Sequence, residues 1–374
     1  VENYSSQSRR GLISSFWDIL ERQSLVLSAE RRMGKTCIIK KMQAEPPPDK
    51  LSMYHDLEKV RSPLEFVETV LQDVEEYLTK LRRTARKTRQ LLTQLSSTEI
   101  MGVKLPEFAA AYWKHLLTTT IADLLENQDK KVILFWDEVP YMLSNIGDKE
   151  AMEVLDTLRA IRQTYPDVRM VFTGSIGLHH VVGKLKEVGY SNEPINDMYS
   201  ADVPALLDND ATRLARCLLE GEKIVTSNVY ESAAAIAQAV DGIPFYIHHL
   251  VLQLKMGRRA IEATEIDQII NECLLNPLNP WKMDHYRDRI DNYYKNEQCI
   301  YALNILDIFA VEDKSLLFDD LFNKLKNEAQ TQDKEIARNV LRTLERDYYI
   351  VRQADRTYRF RYSLIKRYWN LLRG

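Results

Sequence analysis

The chain has 374 residues and a mass of 43.6 kDa, enough for two or three domains with ordinary cores. Hydrophobic residues make up 45% and charged residues 28%, and Gly and Pro number only 12 each. That balance excludes a collagen, a mini-protein and a disordered tail, and favours a helix-rich chain over a strand-dense sandwich. The net charge of −3 selects neither a nucleic acid nor a membrane, but it is uneven: residues 332–374 carry 11 Lys and Arg against 5 Asp and Glu, a surplus of +6 that leaves −9 for the rest.

In chain order, the polar opening VENYSSQSRR has no apolar signal core, and apolar runs such as 132–136 and 233–237 are far shorter than the ~20 residues a membrane span needs, so a cytoplasmic location is expected. SLVLSA (24–29) reads as a strand, followed by a polar loop and a helix over 35–42. The prolines at 46–48 stop that helix, and LSMYHDL (51–57) reads as a second strand. A helical insertion over about 64–128 follows; within it KLRRTARKTR (80–89) sets six basic residues beside Leu78, Leu81, Leu91, Leu92 and Leu95, either a solvated face or a contact for phosphate or an acidic partner. KVILFWDE (131–138), a helix near 151–163, VRMVFTGS (168–175) and a weaker strand near 197–203 complete about five strands alternating with helices. This is the pattern of a parallel sheet covered on both faces.

Strand signals stop near 205, and helices succeed one another to about 310. The C-terminal stretch then shows helical spacing at 299–309, 316–325 and 336–344, a β-hairpin from YYIV (348–351) and TYRFRY (357–362), and a last helix at 364–372. Three helices followed by a hairpin is the order of a winged helix-turn-helix. The domains expected are therefore 1–205, α/β; 206–294, an α-helical lid; and 295–374, the winged helix. Cys37, Cys217, Cys273 and Cys299 lie far apart in helix-like apolar patterns and read as buried free thiols.

Ala29-Glu30-Arg31-Arg32-Met33-Gly34-Lys35-Thr36 matches GxxxxGK[ST] except at its first position. Such a loop curls its backbone N–H groups toward phosphates, with Lys35 reaching the β and γ phosphates, the Thr36 hydroxyl on Mg2+ and the following helix presenting its positive end. Residues 29–36 together with Cys37 are thus candidate ATP contacts. Ala29 either strains the loop in a left-handed conformation or keeps a negative φ. At the end of the third strand, Asp137 is a candidate for holding Mg2+ and Glu138 for orienting and deprotonating an attacking water. After the next strand, Thr173, preferred over Ser175, offers a hydroxyl to that water or to the γ-phosphate.

With these motifs in place, SAERRMGKT resembles the GPRRxGKT loop of archaeal-type and bacterial ATPases near the STAND (signal-transduction) and origin-recognition branches of the AAA+ class. FWDEVPYML resembles their second phosphate motif, FTGSIGLHHVV and EPINDM the strand and loop that follow, DGIPFYIHHLV the GxP segment of the STAND helical domain, and TYRFRYSLIKRYW the end of the winged helix. The resemblance implies a P-loop NTPase sheet of the ASCE type, Lys35 and Thr36 at phosphates and magnesium, Asp137 and Glu138 in the second motif, Thr173 as sensor, and Pro244 near the base. It departs at Ala29, for Gly, and at Glu30, for Pro, which places a carboxylate close to the phosphates.

The adjacent pairs His179-His180 and His248-His249 point about 100° apart on a helix and read as packing or surface residues. Arg31 and Arg32 are equivalent candidates for an arginine finger or for pairing with carboxylates, and Arg258 and Arg259 are candidates for the γ-phosphate. Lys334, Arg338, Arg342 and Arg346 form a stripe opposite Ile336, Val340 and Leu344, and Arg352, Arg356, Arg359 and Arg361 decorate the hairpin, so 334–361 is a candidate DNA contact or an acidic-partner surface. The functional expectation is an ATP-binding and ATP-hydrolysing switch that couples nucleotide state to the winged helix or to self-association as a homo-oligomer. The alternatives are a DNA-binding protein with a structural ATP site, and an adaptor recruiting a separate effector such as a nuclease.

Overall fold

The computed structural model describes residues 9–81, 84–96, 107–175, 177–257, 265–329 and 333–373. The chain divides into two compact units. A sheet unit comprises Arg10–Ser28 and Lys35–Val203, and a helical unit comprises Ala29–Gly34 and the chain from Pro204 onward, with Arg9.

In order, the first part of the chain forms α1 (Arg9–Leu20), β1 (Leu25–Ser28), α2 (Lys35–Ala44), β2 (Lys50–Asp56), α3 (Pro63–Lys80), α4 (Arg86–Ser96), α5 (Trp113–Glu126), β3 (Lys131–Asp137), α6 (Val139–Asn145), α7 (Asp148–Thr164), β4 (Val168–Phe172), α8 (Leu178–Glu187) and β5 (Tyr199–Asp202). All four strand pairings are parallel, in the order β2-β3-β4-β1-β5. The central strands β1, β3 and β4 are nearly continuous apolar runs because both their faces are covered; β2 and β5, at the edges, carry the polar KLSMYHD and YSAD. Trp136, 2% exposed, anchors the middle of this core, its ring stacked at 6.1 Å on Phe172 and edge-on at 5.1 Å to Phe66.

Three backbone hydrogen bonds tie the carboxyl ends of the strands together: Leu57 N–H to the Asp137 carbonyl, Thr173 N–H to the Trp136 carbonyl and Val139 N–H to the Thr173 carbonyl, at 3.0 to 3.1 Å. In the insertion, α3 starts with Ser62 Oγ accepting the Glu65 N–H ahead of Pro63, a side-chain cap with proline in the first turn. Three of the six basic residues of that run pair with carboxylates of the same unit. Lys80 pairs with Glu76, Lys87 with Glu126 and Arg89 with Glu75, while the buried Asp123 accepts from Lys87 N, Thr88 N and Thr88 Oγ1 at the start of α4. Arg82 and Arg83 of that run, and the side chain of Leu95, lie outside the described residues.

The helical unit continues with α9 (Asp208–Gly221), α10 (Val229–Ala239), α11 (Pro244–Gly257), α12 (Ile266–Leu274), α13 (His285–Tyr293), α14 (Glu297–Val311), α15 (Phe318–Ala329), α16 (Lys334–Arg346), the hairpin β6 (Ile350–Arg352) and β7 (Tyr358–Phe360), and α17 (Ser363–Arg373). Leu316 and Tyr358 exchange both backbone hydrogen bonds, 3.0 and 2.8 Å, so β7 has a bridge on its other side, completing the three helices and wing of a winged helix-turn-helix. Asp333 caps α16 by accepting from Glu335 N and Ile336 N, and Ala337, Val340, Leu341 and Leu344 form its buried face.

The DGIP segment has a clear structural reason. Gly242 has φ +65, its carbonyl accepts the Leu206 N–H at 3.0 Å, and a Cβ there would lie 2.5 Å from the Leu206 carbonyl oxygen. Its neighbour Asp241 accepts from Ser363 Oγ and Leu364 N, both at 2.7 Å, and so caps α17 from far along the chain. The cysteines depart from expectation: only Cys273 is buried, while Cys37 and Cys217 are exposed, because polar neighbours turn those helix positions outward. Among the described residues no helix is long and apolar enough to cross a membrane.

Candidate functional site

Within the sheet unit the predicted residues converge. Lys35 opens α2 and is 8% exposed, and Thr36 Oγ1 donates to Asp137 Oδ2 at 2.7 Å, across 101 positions of sequence. Asp137 Oδ1 accepts the Glu138 N–H at 3.1 Å, which restrains the carboxylate at the end of β3. Glu138 adopts a left-handed conformation, φ 57 and ψ 30, ahead of Pro140 in the first turn of α6. For a residue with a Cβ this costs about 1–2 kcal/mol, strain of the kind that collects at functional positions. Burial pushes the Glu138 carboxyl up, as does the charge of Asp137, against hydrogen bonds from Ser175 and the charge of Lys35.

Among the described residues the Ser52, Tyr54 and Thr173 hydroxyl oxygens are buried, and that of Thr173 has no hydrogen-bond partner. Thr173 Oγ1, at the end of β4, belongs to a residue 2% exposed. Tyr54 Oη, on β2, is close enough to Asp137 that burial, then the Asp137 charge and a hydrogen bond to that carboxylate raise its pKa. An orphaned buried hydroxyl costs about 1–3 kcal/mol, and a ligand with acceptor oxygens would relieve it. The Thr36–Asp137 hydroxyl–carboxylate pair, with the orphaned Thr173 hydroxyl in the same unit, is a hard oxygen donor set and fits Mg2+. Ser175, weighed second to Thr173 from sequence, is the hydroxyl that engages Glu138. Tyr54 and Ser175 were not separable from an ordinary strand residue and a turn residue by local pattern.

The loop residues belong to the helical unit. Ala29 keeps a negative φ, and the left-handed positions fall at Arg32, φ 71, and Gly34, φ 88, where glycine makes the turn into α2 without strain. Met33 is 1% exposed. Arg32 is fully committed: its guanidinium donates to Tyr246 Oη at 2.7 Å, to the Trp281 carbonyl and to the Lys282 carbonyl at 3.1 Å, and lies 4.3 Å from the centre of the Phe245 ring. Pro244 supplies the first residue of α11 and places Phe245 for this stack; His249 covers the same ring at 4.0 Å.

Glu30, expected to bring a carboxylate to the phosphates, is committed to the helical unit instead. It is 1% exposed and accepts from Arg289 Nη1 and Nη2, at 3.1 and 2.8 Å, and from the Arg31 N–H at 2.7 Å. His285 Nε2 stands 3.8 Å away. Burial acts to raise the Glu30 carboxyl, and Arg289 with His285 overcomes it, holding the carboxyl at about 2. Burial pushes the His285 imidazole down. Arg289 also donates to the Asp347 carbonyl just past α16, and Asp347 Oδ2 accepts from Tyr294 Oη at 2.6 Å. Arg258 and Arg259 lie outside the described residues.

Along α16 and the hairpin, Lys334 pairs with Asp319 and Arg338 with Glu335, both near the Phe318 ring, while Arg342, Arg346, Arg352, Arg356 and Arg359 are exposed. The stripe read from sequence therefore splits into an engaged half and an open half.

A parallel sheet with β4 inserted between β1 and β3, a Lys-Thr pair opening the helix after β1, an Asp-Glu pair ending β3, and a helical segment leading into three helices and a hairpin together make an α/β P-loop NTPase fold. No protein-family model matches the chain, and no curated protein matches it by sequence. Among solved structures it is similar to a Walker-type ATPase of Pyrococcus abyssi, at TM-score 0.62 and 13% identity, over 97% of this chain and 95% of that one. It is also similar to the ORC2 protein of Aeropyrum pernix, solved in ADPNP-ADP complexes, at TM-score 0.53 and 12% identity, over 100% of this chain and 95% of that one. At such identities the likeness is one of fold.

Proposed function

We propose that the protein is a Mg2+-dependent ATPase that acts as a nucleotide-controlled switch. The observation that carries this is the 2.7 Å bond from Thr36 Oγ1 to Asp137 Oδ2, which pairs the two residue types that hold magnesium on a triphosphate, beside the buried Lys35. In this reading Lys35 neutralises phosphate charge, and Thr36 and Asp137 hold the metal, which when bound supplies Lewis-acid polarisation of phosphate oxygens. Glu138 orients the attacking water and takes its proton, its raised pKa making it a better base than an exposed carboxylate. Thr173 Oγ1 donates to phosphate or water. The resemblance in sequence further assigns the backbone of residues 29–34 and Cys37 to the phosphates and Pro244 to the base. The neighbour's ADPNP-ADP complexes support the choice of adenine nucleotide. We assign 1–205 to the ATPase domain, 206–294 to a helical lid and 295–374 to the winged helix.

Lys35→Ala in the full chain abolishes ATP binding, and Glu138→Gln keeps binding while stopping turnover; unchanged hydrolysis in both variants overturns the assignment. A second reading, DNA binding through the winged helix, rests on the exposed Arg342, Arg346, Arg352, Arg356 and Arg359 around α16 and the hairpin. It is compatible with the first, the nucleotide then gating access to DNA or assembly into a homo-oligomer.

A further inference from the structure

A phosphate loop can present an N–H inward only if the carbonyl of the same peptide is held outward, because a trans peptide sets C=O and the following N–H on opposite sides of one plane. At Met33 the outward hold comes from the start of α1. Arg9 donates from Nη2 to the Met33 carbonyl at 2.8 Å and, from the same nitrogen, to the Pro204 carbonyl, also at 2.8 Å. Met33 is 1% exposed, so the protein rather than bulk water has to satisfy its carbonyl. The next residue, Gly34, has φ +88, and a Cβ built on it would meet no atom within 4 Å, so the loop is open on that side. Arg9, Met33, Gly34 and Pro204 all belong to the helical unit, where Leu206, two residues past Pro204, donates its N–H to the Gly242 carbonyl at 3.0 Å. One guanidinium nitrogen therefore ties a loop peptide to the segment bonded to the turn before α11.

We propose that Arg9 is a positioning residue for nucleotide: by drawing the Met33 carbonyl outward, it turns the Gly34 N–H toward the phosphates. This rests on the reading of residues 29–36 as the phosphate loop. A guanidinium suits the task, since it is always charged and one of its NH2 groups offers two N–H donors in a fixed plane, one for each carbonyl. The Pro204 carbonyl is the second anchor; it fixes the guanidinium and so limits how far the Met33 carbonyl can swing. Without Arg9 the 33–34 peptide turns about Met33 ψ and Gly34 φ, and glycine resists that rotation less than any other residue. The Gly34 N–H then faces phosphate for only a fraction of the time, and affinity falls in proportion to that fraction. Backbone N–H groups of such a loop cradle the inner phosphates, so the loss is shared by ADP and ATP, while the residues that act at the γ-phosphate keep their places.

The test compares wild type, Arg9→Ala, Arg9→Lys and Lys35→Ala as full chains, by calorimetric titration with Mg-ADP and by steady-state hydrolysis of Mg-ATP. In Arg9→Ala the Kd for ADP and the KM for ATP both rise about tenfold, the size of one hydrogen bond to a charged group, while kcat stays within about twofold of wild type. Arg9→Lys, whose ammonium has donors for both carbonyls, recovers most of the affinity. Wild-type ADP affinity in Arg9→Ala, a fall in its kcat at unchanged KM, or an affinity in Arg9→Lys as low as in Arg9→Ala overturns the role of Arg9 and, with ADP binding lost in Lys35→Ala, leaves the phosphate loop standing. Wild-type ADP binding by Lys35→Ala overturns the reading of the loop itself, and the role of Arg9 with it.

Discussion

Glu30 and Arg289 form a two-pronged ion pair, Nη1 to Oε2 at 3.1 Å and Nη2 to Oε1 at 2.8 Å, with side chains 0% and 12% exposed. It joins the phosphate-loop sequence to α13. The Arg289 donation to the Asp347 carbonyl carries the connection on to the end of α16, the helix whose outer face bears the basic stripe. A buried charge left without its partner costs about 3–5 kcal/mol, whereas replacing both partners by apolar groups is often neutral. Arg289→Met lowers the stability of the helical unit by that amount, and Glu30→Leu with Arg289→Met recovers most of it. Urea unfolding monitored by fluorescence, in a double-mutant cycle, checks both statements.

The same pair fixes a pH dependence. The Glu30 carboxyl is held at about 2, below its unfolded value of about 4.3. Its contribution is therefore complete above the unfolded value and is lost as pH falls from about 4 toward about 2. Glu30→Gln shows a shallower loss of stability in this acid range than wild type, measured by urea midpoints at a series of pH values.

Arg32 combines a left-handed φ of 71 with bonds to Tyr246, Trp281 and Lys282. Both Arg32→Ala and Arg32→Gly lose those bonds, but only glycine takes the conformation freely. Arg32→Gly is consequently more stable than Arg32→Ala by about 1 kcal/mol, and both bind ATP more weakly than wild type in calorimetric titration.

Thr36 Oγ1 and Asp137 Oδ2 act as one unit. Thr36→Ala and Asp137→Asn each reduce ATP affinity about tenfold or more in Mg2+, and the differences from wild type collapse when the metal is chelated. Thr36→Ser, which keeps the hydroxyl, behaves as wild type.

On α16, the engaged and open halves of the stripe separate in their effects under the DNA-binding reading. In that reading, reversing Arg342 and Arg346 to Glu weakens DNA binding by the full chain and reduces its salt slope by about 0.9 per phosphate contact removed. Reversing Lys334 and Arg338, already held by Asp319 and Glu335, changes the slope less. Fluorescence anisotropy over a salt series distinguishes the two pairs.

Much of this architecture was legible because it is written in local pattern. LSMYHDL at 51–57 became β2 at Lys50–Asp56, KVILFWDE became β3 at Lys131–Asp137, and TYRFRY contains β7 at Tyr358–Phe360. The Lys35-Thr36 and Asp137-Glu138 pairs were readable because each follows a strand, and their 2.7 Å link is what that context leads one to expect. The partner of Glu30 was not readable, since Arg289 lies 259 positions away and carries no periodic signal. Arg32 was likewise open between a catalytic and a structural use until its four neighbours were in view. The Ser175 hydrogen bonds to Glu138 escaped because Ser175 in TGS looks like any turn serine, and they arise only where the chain returns to the end of β3.

Six consecutive residues, Ala29–Gly34, are grouped with the helical unit although the strand before them and the helix after them are grouped with the sheet. An excised fragment ending at 203 would therefore carry its P-loop sequence stripped of Arg289, Tyr246 and the Trp281 carbonyl, leaving Glu30 and Arg32 without those partners. The recognisable cassette of this protein cannot be transplanted by cutting at the visible seam, and recombination between such chains must exchange the loop and the distant helices that anchor it together.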